Sequence, residues 1–220
     1  MEFNLVQTIA IYALPVIFAI TLHEAAHGYV ARYFGDNTAY VLGRVSLNPL
    51  RHIDPVGTVL VPLLILTTSS LLGAGGILFG WAKPVPVDFG GLRHPKRDML
   101  WVAAAGPLAN LFMALLWALA FKLALVAPHN AFSLPLSLMA KAGITVNLVL
   151  MLLNLLPILP LDGGRITVSL LPNRLAYAFS RLEPYGFPIL LLLLFTNVLG
   201  AILNPLVNGS IHVIAAIFQL

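Results

Sequence analysis

Apolar residues in this chain occur in long unbroken runs, not in the alternating faces of a surface helix. Five runs stand out, at roughly 5–33, 57–79, 99–127, 134–160 and 185–220. A helix needs about 20 apolar residues to cross the hydrocarbon core of a bilayer, and each run meets that length. Turn-rich pieces separate them at 35–55, 83–97, 128–130 and 162–184. The pattern predicts an all-α polytopic membrane protein with about five to six transmembrane helices. The last run is about 36 residues long, more than one span requires. Breaks at Asn204-Pro205 and Asn208-Gly209 predict one span plus a shorter, partly interfacial helix.

The second run is the exception to a purely helical reading. It ends in Gly73-Ala74-Gly75-Gly76 and passes into Phe79-Gly80-Trp81-Ala82-Lys83-Pro84-Val85-Pro86-Val87. Alternating prolines exclude a helix there and favour an extended edge that is not fully paired. Non-helical backbone at membrane depth is tolerated only where protein covers it or where it lines a cavity. A short membrane-associated β or re-entrant segment is therefore expected between the first helices, returning to the face it left. Its edge is either a docking strand for an extended peptide or a plain interfacial loop.

Composition agrees with the pattern. The chain is 60% hydrophobic and 9% charged, with a mean hydropathy of +0.94. Its 220 residues leave room for one domain over 1–220, with a core at about 5–164 and C-terminal helices at 185–220. The first run lacks a basic leading region and a small-residue cleavage site, so it is expected to be a retained helix and not a cleaved signal. A pI near 9.6 raises the question of nucleic acid, but the basic residues are scattered through short inter-helix pieces. Membrane orientation explains them better, and no nucleic-acid partner is expected. With a return in the second run, ten of the twelve basic residues fall on one face, leaving only Lys122 and Lys141 for the other. The positive-inside rule makes the richer face cytoplasmic.

Polar chemistry inside the first run changes the picture. His23-Glu24-Ala25-Ala26-His27 is an H-E-x-x-H string in a segment with no other charge before Arg32. Ionisable groups are costly in hydrocarbon and mark function by default. On a helix, His23 and His27 project from one face and can reach one metal ion. Glu24 is turned by about 100°, beside the metal, where a base activating a metal-held water would stand. The string points to an intramembrane zinc hydrolase. Cysteine is absent, so any metal is held by histidine and carboxylate. A catalytic zinc takes three protein ligands. Of eight acidic residues, only Asp162 ends a long apolar run, in Asn154-Leu-Leu-Pro157-Ile-Leu-Pro160-Leu161-Asp162-Gly163-Gly164. The alternative for Asp162 is a helix cap.

These landmarks, with Gly106-Pro107-Leu108-Ala109-Asn110 between them, give the chain its resemblance to the site-2 protease family of intramembrane metalloproteases. It is most similar to the compact prokaryotic members that carry no PDZ or CBS module. The resemblance implies one Zn2+ per chain bound by His23, His27 and Asp162, with Glu24 as catalytic base. It implies that Asn110 and Asn154 hold the substrate backbone or the oxyanion; from the residues alone, Asn110 is equally an interhelical contact. It also implies a transmembrane protein as substrate, the lipid bilayer as surroundings, and a prokaryotic cell membrane with the site towards the cytoplasm. Two other classes use similar residues, a metal transporter and a catalytically silent scaffold. A transporter would need a second cluster of ionisable residues along the spans. His52 and His94 are expected in interfacial or solvated roles and not as ligands, His129 as a turn residue, and His212 within an apolar terminal helix.

Overall fold

The computed structural model describes residues 4–60, 83–126 and 131–220. Its first helix, α1 (Leu5–Tyr33), opens with Asn4 and Gln7 in a reciprocal capping box and closes where Gly35 turns the chain at φ +111°. The short α2 (Thr38–Val41) follows, then a single π-turn over Pro55–Leu60. After 83–94 come α3 (Pro95–Val126) and α4 (Ser133–Asn154). A loop containing the cis peptide Leu159-Pro160 leads to α5 (Asp162–Leu170), α6 (Asn173–Ser180), α7 (Glu183–Phe195) and α8 (Val198–Phe218).

Four of these helices, α1, α3, α4 and α8, are long and apolar enough to cross a membrane. A fifth span is formed if α6 and α7, bent by 62° at their junction, are taken together. The described residues thus supply four or five candidate spans of an integral membrane bundle. Helix α3 is its axis and packs against α1, α4, α5 and α8. The main core joins Met113, Ala114, Trp117 and Ala118 of α3 to Ala140, Ile144 and Leu148 of α4 and to Val207 and Ile214 of α8. Alanines at 0% exposure in three helices, Ala19, Ala114 and Ala140, let the backbones approach closely, as membrane helices without a hydrophobic drive to associate require.

Two expectations are corrected. The extended piece 83–88 is there, but it is not a strand, and no strand occurs among the described residues. Pro84 and Pro86 have no N–H to give a ladder, so side chains hold the segment instead. Val85 N–H donates to Glu24, Asp88 N–H to Asp36, and the Arg44 guanidinium reaches the carbonyl of Lys83. Most of the proposed return, from 61 to 82, lies outside the described residues. The last run does divide, but at Asn197 and not at Asn204-Pro205. Asn197 adopts the left-handed conformation (φ 58°) that asparagine tolerates better than most residues, whereas Pro205 lies inside α8.

Helix α7 is seated on the loop that presents Asp162. A Cβ on Gly186 would lie 1.5 Å from the carbonyl oxygen of Leu159. Gly186→Ala must therefore push α7 off this loop, and overpacking of this kind costs about 1–3 kcal/mol. A lowered thermal midpoint in detergent is the expected result; an unchanged midpoint would contradict the packing.

A candidate metal centre between the helices

His23 and His27 lie one turn apart on α1 and face α3. Both are buried, at 8% exposure. Their rings meet edge to face, with Nε2 atoms 3.1 Å apart. Asp162 enters from the first turn of α5, and its Oδ2 is 3.3 Å from each Nε2. Asp162 does not cap its helix: Leu161 occupies the N-cap position and the carboxylate points at the histidines. Among the described residues this is the one group of three potential metal-ligating side chains.

The outer nitrogens decide what the inner ones can do. His27 Nδ1 donates to the carbonyl of Val102 at 2.7 Å, and a carbonyl can only accept. His23 Nδ1 lies 2.6 Å from Asn110 Oδ1. The Asn110 amide nitrogen is committed to two acceptors, Ala19 O at 3.2 Å and Asn147 Oδ1 at 3.0 Å. Its oxygen must therefore face His23, which must donate from Nδ1. In neutral rings both Nε2 atoms then carry lone pairs. Asp162 Oδ2 is itself buried without a hydrogen bond.

With both rings neutral, three acceptor atoms thus converge at 3.1–3.3 Å. Such a triangle repels itself unless a cation fills it. Zinc bonds nitrogen and oxygen at about 2.0–2.1 Å, and a tetrahedral arrangement then separates its ligands by about 3.3 Å. The residues fit that ion.

The space for the triangle is made by a missing side chain. A Cβ on Gly106 of α3 would lie 2.4 Å from His27 Nε2 and 2.6 Å from His23 Nε2. Pro107 follows, and its missing N–H releases the carbonyl of Ala103, a known cause of local helix bending. Glu24 is half-buried on the neighbouring face of α1, with Oε2 accepting the Val85 N–H at 2.7 Å.

The other expected residues divide. Asn110 is fully buried, and its amide bonds His23, Ala19 O and Asn147. Asn154 is half-buried at the end of α4, with its amide nitrogen on Leu150 O. His52, expected in an interfacial or solvated role, is buried at 2% and bonds Ser46 O at 2.8 Å, and its own carbonyl accepts the Lys83 N–H. His94 is exposed beside Asp98, and His212 lies exposed on α8. His129 lies outside the described residues. Val102, Val85 and Asn147 also contact the site residues without belonging to any of its motifs. The first two act through backbone, which no side-chain motif reveals; Asn147, a polar residue within an apolar run, was a visible signal.

Gly106→Ala tests the construction of this centre. The added methyl should displace both imidazoles and weaken zinc binding by more than about tenfold, as loss of ligand orientation does elsewhere. Chelator competition on the purified protein gives the affinity; a wild-type value would contradict the assigned role of Gly106.

The chain is 38% identical over 215 residues to "Putative zinc metalloprotease YwhC" of Bacillus subtilis strain 168, covering 94% of this chain and 91% of that protein. It is 29% identical over 192 residues to the protein of Mycolicibacterium smegmatis named "Putative zinc metalloprotease Rip2", covering 84% and 66%. The Rip2 of Mycobacterium tuberculosis H37Rv is 32% identical over 148 residues, covering 67% and 52%. No family model and no solved structure matches the chain. Near-complete coverage of a relative at this identity, with zinc as the metal of that relative's name and a metal centre to match, establishes the kinship: the chain belongs to the site-2 protease family of zinc metalloproteases.

Proposed function

We propose that this protein is an intramembrane zinc metalloendopeptidase that hydrolyses peptide bonds within or near the transmembrane helix of a membrane-protein substrate, as in regulated intramembrane proteolysis. The observation that carries the reading is the convergence of His23, His27 and Asp162, with Glu24 beside them, between helices of membrane length. Zinc bound there supplies a Lewis acid and lowers the pKa of the water it holds towards about 7.

The residues of the chain do the rest. His23, His27 and Asp162 hold the ion, and Asn110 and Val102 O keep the two rings turned towards it. Glu24 takes the proton of the attacking water and returns it to the leaving amine. One of its oxygens is held by the Val85 N–H, which leaves the other to work as base. Asn110 acts through His23, while Asn154, half-buried at the end of α4, is the asparagine better placed to meet a substrate backbone. A helical peptide bond is hydrogen-bonded and shielded, so the target must unwind locally, and helix-breaking residues are expected at the cut.

Arg32 at the end of α1, Lys96 and Arg97 at the start of α3, and Arg165 in α5 belong to the helix ends nearest the centre. This supports a site opening to the cytoplasmic side of a prokaryotic cell membrane. A transporter would require further ionisable groups along a path, and the described residues offer a single ligating group.

Glu24→Gln separates catalysis from binding. The amide still accepts from Val85 but cannot take a proton, so zinc content should stay at the wild-type level while proteolysis falls by about 100-fold or more. The readout is mass-spectrometric mapping of protein termini in membranes of cells making either form. New termini within or beside membrane helices should appear only with the wild type; identical sets would overturn the protease reading.

A further inference from the structure

Behind the metal centre lies a pair of asparagines that the chemistry above does not use directly. Asn110 of α3 and Asn147 of α4 are both at 0% exposure, among the largest fully buried side chains of the bundle. A buried amide in an apolar span is costly unless all its groups are met. Here they are met in one order only. Asn147 Nδ2 donates to Gly143 O at 2.8 Å, within its own helix. That carbonyl can only accept, so it fixes the Asn147 amide with its oxygen outward. Asn147 Oδ1 in turn receives Asn110 Nδ2 at 3.0 Å, and Asn110 Oδ1 receives His23 Nδ1 at 2.6 Å.

The chain of bonds therefore has a direction. It starts on a backbone acceptor in α4 and ends on the ring of a metal-ligating histidine in α1. Reversing any one amide would place oxygen against oxygen or N–H against N–H at the next. We infer that Asn147 is a positioning residue for the zinc site, fixing the tautomer and ring plane of His23 through Asn110 and thereby setting the affinity for the metal. This rests on the three-ligand zinc reading.

The competing explanation is simple interhelical adhesion, in which the Asn110–Asn147 contact ties α3 to α4 and has no bearing on the metal. The two differ in what they predict. Adhesion is a matter of stability and leaves the affinity of the folded protein alone. Positioning changes affinity in a graded order, because Asn110 is anchored by Ala19 O as well and keeps part of its orientation when Asn147 is gone.

The test is the Zn2+ affinity of the full-length protein in detergent, measured by chelator competition, together with the visible d–d spectrum of the Co2+-loaded form. Asn110→Leu removes the contact to His23 and should weaken zinc about 10–100-fold. Asn147→Leu, of similar size, should weaken it less, by about three- to tenfold, and shift the Co2+ bands. Asn147→Asp should restore most of the affinity. Burial favours its neutral acid, whose O–H replaces the donor to Gly143 while the other oxygen still faces Asn110. Once Asn110→Leu is present, adding Asn147→Leu should change nothing further, since the relay is already cut.

If Asn147→Leu does not fold, Asn147→Ala takes its place in the same cycle. A folded Asn147 variant with zinc affinity within twofold of wild type and unshifted Co2+ bands would overturn the inference, as would an additive double mutant. A wild-type protein that binds no Zn2+ would instead bring down the metal reading on which it stands.

Discussion

The close approach of α1 and α3 at Gly106 is the constraint on which the rest depends. Any side chain there would occupy the space of both imidazoles. With hydrogen in that place, His23 and His27 turn inward, and their outer nitrogens come within reach of Asn110 and Val102 on the same helix. One helix thus clears room for the ligands and also orients them. The result is a set of lone pairs aimed at one point in a poorly solvated interior, where a cation is bound strongly because water competes little.

The carboxylate comes from a different part of the chain, and its position is set by packing. Asp162 starts a helix that packs on α3, preceded by a loop on which α7 rests through Gly186. Glu24 is steadied by a third element, the extended piece at 83–88, strapped down by Asp36 and Arg44. Asp162 therefore comes from a different element than the two histidines, while Glu24 shares their helix and is held at its carboxylate by the 83–88 piece.

Much of this was legible in the residues. Hydropathy alone placed α1, α3 and α4, because a span must be apolar around its whole circumference. The spacing of His23 and His27 fixed a shared face, and Asp162 stood out as the one acid ending an apolar run. What was misread depended on information the string does not carry. Proline-broken extended backbone is open to pairing in principle, and only its side-chain partners show that 83–88 is strapped and not laddered. The break in the last run went to Asn197 and not Pro205, since a span tolerates a proline more readily than a left-handed turn can be foreseen. His52 reads as a loop residue until the fold buries it. Asn110 carried two meanings, and only its three hydrogen bonds assign it to His23.

The central claim is that His23, His27 and Asp162 bind one zinc ion. X-ray absorption at the zinc edge of the purified protein, wild type against Asp162→Ala, tests it most directly. The account predicts about one zinc per wild-type chain with two imidazoles and oxygen at about 2.0–2.1 Å, and weakened or lost metal in the variant. A wild-type protein without zinc, or one whose zinc shell lacks the two imidazoles or is unchanged in Asp162→Ala, would contradict it.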